Sequence, residues 1–180
     1  MNKDTIKSQL GLLVQIARSI QIKYVLAELD PDPKLNFWRL IHGSFLDLPV
    51  LDWCKIFGSN AEPTHWKDVV SDISKFRNEM FSHLNITKDE WNEYWFQMKN
   101  YRDELVAHYE PNYNSETYPD LELAFKSSCF YHDYLVNLID NETEEKMEIL
   151  EEYSKRFYIQ TKKIAQIAIE ATDSISEVTY

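Results

Sequence analysis

The sequence predicts an all-α fold: a single domain spanning residues 1–180, built as an up-and-down bundle of five to seven helices. Three observations carry this. Glycine occurs only three times, at Gly11, Gly43 and Gly58, and proline six times, whereas a β-sandwich or barrel draws on those residues at every tight turn. Hydrophobic residues make up 44% of 180 positions, enough to bury a core and too many for a disordered chain. Apolar residues also recur every three or four positions through long stretches that contain neither breaker.

The first helix is expected from about Asp4 to Asp30, with Ile6, Leu10, Leu13, Ala17, Ile20 and Tyr24 on one stripe. Asp30-Pro31-Asp32-Pro33 ends it, because proline lacks a donor and restricts the residue before it. Residues 35–57 are nearly continuously apolar and should lie centrally, with a kink or break at Gly43 or Pro49. Gly58-Ser59-Asn60 is the stop. Thr64 can cap a short helix through Val70, and Ser71 or Ser74 another through about His83. Thr87-Lys88-Asp89-Glu90 reads as a capping box, opening a helix to about Tyr109 that Pro111 prevents from going far beyond. After the polar loop 110–119, a helix from about Asp120 to Leu138 turns Leu123, Phe130, Tyr134 and Leu138 inward. The last helix, roughly Thr143 to Ala171, sets Leu150, Tyr153, Phe157, Ile164, Ala168 and Ala171 on one side.

Composition narrows the function classes. The net charge of −11 divides into −1 over residues 1–100 and −10 over residues 101–180, which disfavours diffuse binding to nucleic acid but leaves room for a local positive cleft. Five Trp and eleven Tyr read first as packing between helices and second as a stacking platform for bases. Cys54 and Cys129 have no short-range partner, and the start lacks a basic-then-apolar leader. A soluble protein of the reducing cytoplasm is therefore expected, with no membrane association, since no apolar run looks long enough to span a bilayer.

No glycine-rich phosphate loop, Cys-x-x-Cys or His-Glu-x-x-His is present, and the five histidines do not cluster at metal-ligand spacing. No cofactor or metal is expected. The helix after Thr87 holds the most informative pattern. Trp91, Trp95, Met98, Leu105 and Tyr109 form its apolar stripe, and Arg102 falls in the middle of it. Such an arginine must snorkel, pair with an acid, or be held for a purpose. His108 sits near the helix end, where free carbonyls favour an imidazolium. On an α-helix the two lie roughly 9 Å apart along the axis and about 120° apart around it, so two copies about a two-fold axis would assemble one cleft more readily than a single chain. The structural alternative is an Arg102 paired with an acid of a neighbouring helix and a His108 that finishes its own.

The segment YRDELVAH, from Tyr101 to His108, resembles the signature of the HEPN superfamily: an arginine, a polar neighbour, and a histidine after four to six intervening residues. With LDWCKIFG (Leu51 to Gly58), HWK (His65 to Lys67) and FRNEMFSH, the stretch 35–110 is similar to the AbiU-type, abortive-phage-infection branch. The resemblance implies a dimerising helical bundle with a metal-independent endoribonuclease site at the dimer cleft. Arg102 would hold the scissile phosphate, His108 would serve as general base or acid at the 2′-hydroxyl or 5′-oxygen, and Asp103 would orient. The products would be a 2′,3′-cyclic phosphate and a 5′-hydroxyl. RNA substrate, homodimer, and an antitoxin or regulatory protein are the partners implied. Two features depart from or complicate the pattern. Some members carry a modifiable tyrosine two residues after the histidine, where this chain has Glu110. Arg77 and His83 repeat the same offset, read either as structural or as lining the same cleft. The rival function is a noncatalytic module binding a protein or nucleic acid through that groove, and a third is a regulatory partner whose acidic last third meets a basic protein.

Overall fold

Six helices form an up-and-down bundle in the computed structural model, which describes residues 3–30, 32–107, 118–140 and 148–177, with no strand among them. They are α1 (Lys3–Leu29), α2 (Asn36–Trp53), α3 (Ile73–Leu84), α4 (Lys88–Tyr101), α5 (Leu121–Asp140) and α6 (Leu150–Thr172). The long helix α1 packs against α2, α5 and α6, so it is the central staff of the bundle. Its length and composition would also suit a membrane-crossing helix, but half of its most apolar stretch is buried inside the bundle. Gln9, Ser19 and Gln21 are buried on it as well, against the helices that surround it.

The larger hydrophobic cluster joins Leu13, Ile16 and Ile20 of α1 to Val50 and Trp53 of α2, Met98 of α4 and Leu135 of α5. Trp53, fully buried, donates its indole N–H to Ser127 Oγ of α5 at 3.0 Å. A smaller cluster, Val25, Leu26, Trp38 and Ala165, binds the far end of α1 to α2 and α6. Tyr24, expected on the α1 stripe, is 36% exposed instead, because the buried line has drifted to Val25 and Leu26.

Several helix ends differ from expectation. The α2 helix runs unbroken through Gly43 and Pro49, and its change of geometry comes later, in a π-turn over Cys54–Gly58. Burial of Pro49 and Val50 holds the helix together across the missing proline donor. Residues Trp66–Asp68 form a single 3-10 turn rather than a helix to Val70. Asp72, not a serine, caps α3, accepting the Lys75 N–H at 2.9 Å. The capping box at Thr87 is present as expected, with Glu90 accepting the Thr87 N–H and Thr87 Oγ accepting the Glu90 N–H. The helix that it opens is α-helical only to Tyr101 and continues as a π-turn over Arg102–Ala107. In α6 the buried line runs through Leu150, Ser154 and Ala165, leaving Ile164 61% exposed. Small residues let α6 lie close to α1 there, whereas a count of large apolar residues points one position away. The expected start of that helix at Thr143 lies outside the described residues.

Candidate functional site

Arg102 stands where α4 gives way to its π-turn. Tyr101, just before it, donates its hydroxyl to Asp47 Oδ1 of α2 at 2.7 Å and so fixes this end of the helix. The Arg102 guanidinium grips its neighbour sideways: Nε lies 2.8 Å and Nη2 2.6 Å from Asp103 Oδ1. Lys99, one turn earlier, reaches Asp103 Oδ2 at 3.1 Å. Burial alone would raise the Asp103 carboxyl, but the two cationic donors outweigh it and hold the group below the ordinary carboxylate range. Arg102 is therefore ion-paired within its own turn rather than to another helix, with side-chain exposures of 18% for Arg102 and 37% for Asp103.

Gly58 ends the first π-turn directly beneath this arginine. A Cβ at Gly58 would lie 3.1 Å from Cys54 Cβ, a tight approach, and 3.5 Å from Arg102 Nη1, an ordinary contact, so it is the Cys54 side chain that favours glycine here while the guanidinium packs against it. The Cys54 thiol beside it is buried and pushed up to about 12 by that burial, against the pull of Arg102. It is a packing group and not a nucleophile.

On its other side Gly58 borders a cleft of about 230 Å³, lined also by Asn60, His65, Trp66, Lys67, Arg77, Asn92 and Trp95. The indole N–H of Trp95 is shared between the carbonyls of Phe57 at 2.8 Å and Gly58 at 3.2 Å, which pins that ring against the turn. The 65–67 strap is fastened from below. Gln9 Nε2 of α1 donates to the carbonyls of Thr64 and His65 at 3.2 and 3.0 Å, and Tyr131 of α5 donates to Gln9 Oε1 at 2.7 Å. Two cations hang over the Trp66 ring, with Lys67 Nζ at 5.8 Å and Arg77 Cζ at 5.6 Å from its centroid. Lys67 also donates to Asn60 Oδ1 at 2.7 Å, while Arg77 makes no ion pair with any described residue. Burial first, then the charge of Lys67, lowers the His65 imidazole to about 4, so it is neutral near pH 7. Its Nδ1 accepts the Lys67 N–H at 3.3 Å.

The four segments singled out in the sequence thus meet around one glycine. Phe57 and Gly58, the 65–67 strap, Arg77 of α3 and Arg102 after α4 all gather there. Other expectations fare differently. His108 lies outside the described residues, as does Glu110. The chain follows a π-turn from Arg102 to Ala107, where the sequence predicts an α-helix. Arg77 and His83 do not share a cleft. Their six-residue offset on α3 puts them on different faces, and His83 lies 5.2 Å from the Phe130 ring in a cavity with Tyr24, Phe125 and Cys129. Sequence reasoning missed Lys99 as the second partner of Asp103, although its i,i+4 spacing gave the signal. It also missed Lys67 as the companion of Arg77, for which no local pattern exists. Among the described residues no group of three or more His, Cys, Asp and Glu side chains is placed to hold a metal ion. The chain matches no family model, no curated protein and no solved structure.

Proposed function

We propose that this protein is a metal-independent endoribonuclease of the HEPN type, working as a cytoplasmic homodimer in a phage-defence or toxin–antitoxin setting. The observation that supports the reading is the convergence on Gly58. The segments that carry the sequence resemblance are scattered over some fifty positions, yet they share one surface with Arg102 at its edge. The Arg102 side chain is partly exposed, and its Nη1 donates to no described residue, so the guanidinium keeps hydrogen-bonding capacity that a phosphate can use.

In this reading Asp103 holds the guanidinium by Nε and Nη2, and the guanidinium stabilises the growing charge on the scissile phosphate. His108 takes the 2′-hydroxyl proton as the 2′-oxygen bonds to phosphorus. The bond from phosphorus to the 5′-oxygen breaks, and the His108 of the second copy protonates that leaving oxygen. A 2′,3′-cyclic phosphate and a 5′-hydroxyl result. An antitoxin or other regulatory protein is the partner such an activity needs to be kept in check.

The test is cleavage of total cellular RNA in a chelator, comparing wild type with Arg102→Ala and His108→Ala, with melting curves alongside. Loss of the proton-transfer group should slow cleavage by roughly 10²- to 10⁴-fold while the fold survives. Equal cleavage by wild type and His108→Ala would end the catalytic assignment. A wild type that cuts no RNA but retains it would establish the noncatalytic binding module instead.

A further inference from the structure

The cleft beside Arg102 has an electrostatic imbalance of its own. Lys67 and Arg77 approach the same indole, and no carboxylate is among the residues that line the cavity. Of the nearby acids, Asp72 caps α3 and Glu79 pairs with Lys75, while Asp68 is exposed, acts on His65 against the two cations and makes no ion pair with either. Lys67 is disfavoured as an ammonium first by burial and then by the Arg77 charge, and the same two cations help keep His65 neutral. In a chain of net charge −11, two neighbouring like charges that make no ion pair with any described residue favour an anion between them. The remaining lining fits a flat, polar-edged ring. Trp95 is half-buried and fixed by its two carbonyl partners, Trp66 and Trp91 close the bottom, and Asn60 and Asn92 bring exposed amides that both donate and accept.

We infer that this cleft binds a single nucleotide, its phosphate between Lys67 and Arg77 and its base against Trp95 with the Asn60 and Asn92 amides at its edge. The forked donors of arginine suit two phosphate oxygens, and the lysine adds a point charge. Indoles accept any base by stacking. A space of about 230 Å³ lies below the roughly 300–1,000 Å³ of drug-sized sites, so it has no room for a dinucleotide. The inference holds whether or not Arg102 and His108 cut, because it concerns binding alone.

Calorimetric titration of the full-length protein with inorganic phosphate, uridine 5′-monophosphate and an uncleavable hexadeoxyuridylate tests it. Uridine monophosphate should bind more tightly than phosphate. Arg77→Ala and Lys67→Ala should each weaken it by at least about tenfold, as expected for a lost hydrogen bond to a charged group. His83→Ala, in the other cavity, should leave the affinity unchanged. The oligonucleotide arm identifies the source: tighter binding than the monomer marks a subsite on a single strand, and equal binding marks a free-nucleotide site. For the strand, each cation removed should also lower the salt dependence of log K by about 0.7. The inference is overturned if none of the three probes binds more tightly than about millimolar. It is equally overturned if Arg77→Ala and Lys67→Ala, with melting temperatures near wild type, bind uridine monophosphate as well as wild type does.

Discussion

Tyr131→Phe isolates the one hydroxyl on which the strap of the cleft depends. Tyr131 and Gln9 are both fully buried, and the phenol donates to Gln9 Oε1 at 2.7 Å with the Trp66 carbonyl 3.3 Å away. Phenylalanine keeps the ring and its edge contacts with Phe57 and Phe76, so no cavity term enters. What is lost is a donor, leaving Gln9 Oε1 in the interior without its partner. An orphaned buried acceptor costs about 1–3 kcal/mol. For a chain of this length each kcal/mol lowers Tm by about 2–4 °C, so the drop should lie between about 2 and 12 °C. Thermal denaturation followed by circular dichroism reads it directly. Gln9→Leu should cost more, because it strips the carbonyls of Thr64 and His65 of their donor as well. The double variant should fall short of the sum of the two, since both single changes break the same contact. A Tyr131→Phe protein melting within about 1 °C of wild type, or strictly additive losses, would refute the view that this buried chain of hydrogen bonds holds the strap.

The strap also dictates an acid response. His65 has its folded-state pKa lowered to about 4 from an ordinary value near 6.5, so the unfolded chain binds its proton first. Its contribution is complete above about pH 6.5 and is lost progressively as pH falls toward about 4. His65→Asn, which keeps an acceptor for the Lys67 amide, should flatten the stability profile over that window when urea unfolding is measured at several pH values. The proposed dimer is expected to use α4, on which Phe96 is 63% exposed, whereas α6 exposes Ile164 and Ile167 by 61% and 69%. Sedimentation at tens of micromolar should show a dimer that Phe96→Asp disrupts and that Ile164→Asp leaves intact. The reverse pattern, or a wild-type monomer, would remove α4 from the interface.

Where the chain states its structure locally, reading it sufficed. The all-α class followed from scarce glycine, and the start of α4 followed from four consecutive residues, because a capping box is closed by its own side chains. Reading failed where a distant neighbour decides. Nothing near Pro49 says that α2 survives it; buried contacts on either side do that. The π-turn Cys54–Gly58 brings Gly58 against the Arg102 side chain that opens the second π-turn, a meeting invisible to a one-dimensional pattern. The same holds for the site. Arg102 and Asp103 were legible as neighbours, and the structure joins them by an ion pair. Arg77 was legible only as half of a repeated motif with His83, whereas its spatial partners are Trp66 and Lys67 on another segment. Spacing along a helix reports which residues share a face, and here it separates the two that the motif had joined.

The crowding of tryptophans around the strap has an optical consequence. Of the five in the chain, Trp66, Trp91 and Trp95 border the cleft and Trp53 lies 5.7 Å from Trp91, while Trp38 belongs to the separate cluster with Val25 and Ala165. Four emitters out of five therefore sit on or next to the surface where a ligand would settle, and one stands apart as an internal reference. The unlabelled protein should report occupancy of its own cleft as a change in ultraviolet emission, and a Trp38→Phe variant should report it against a darker background.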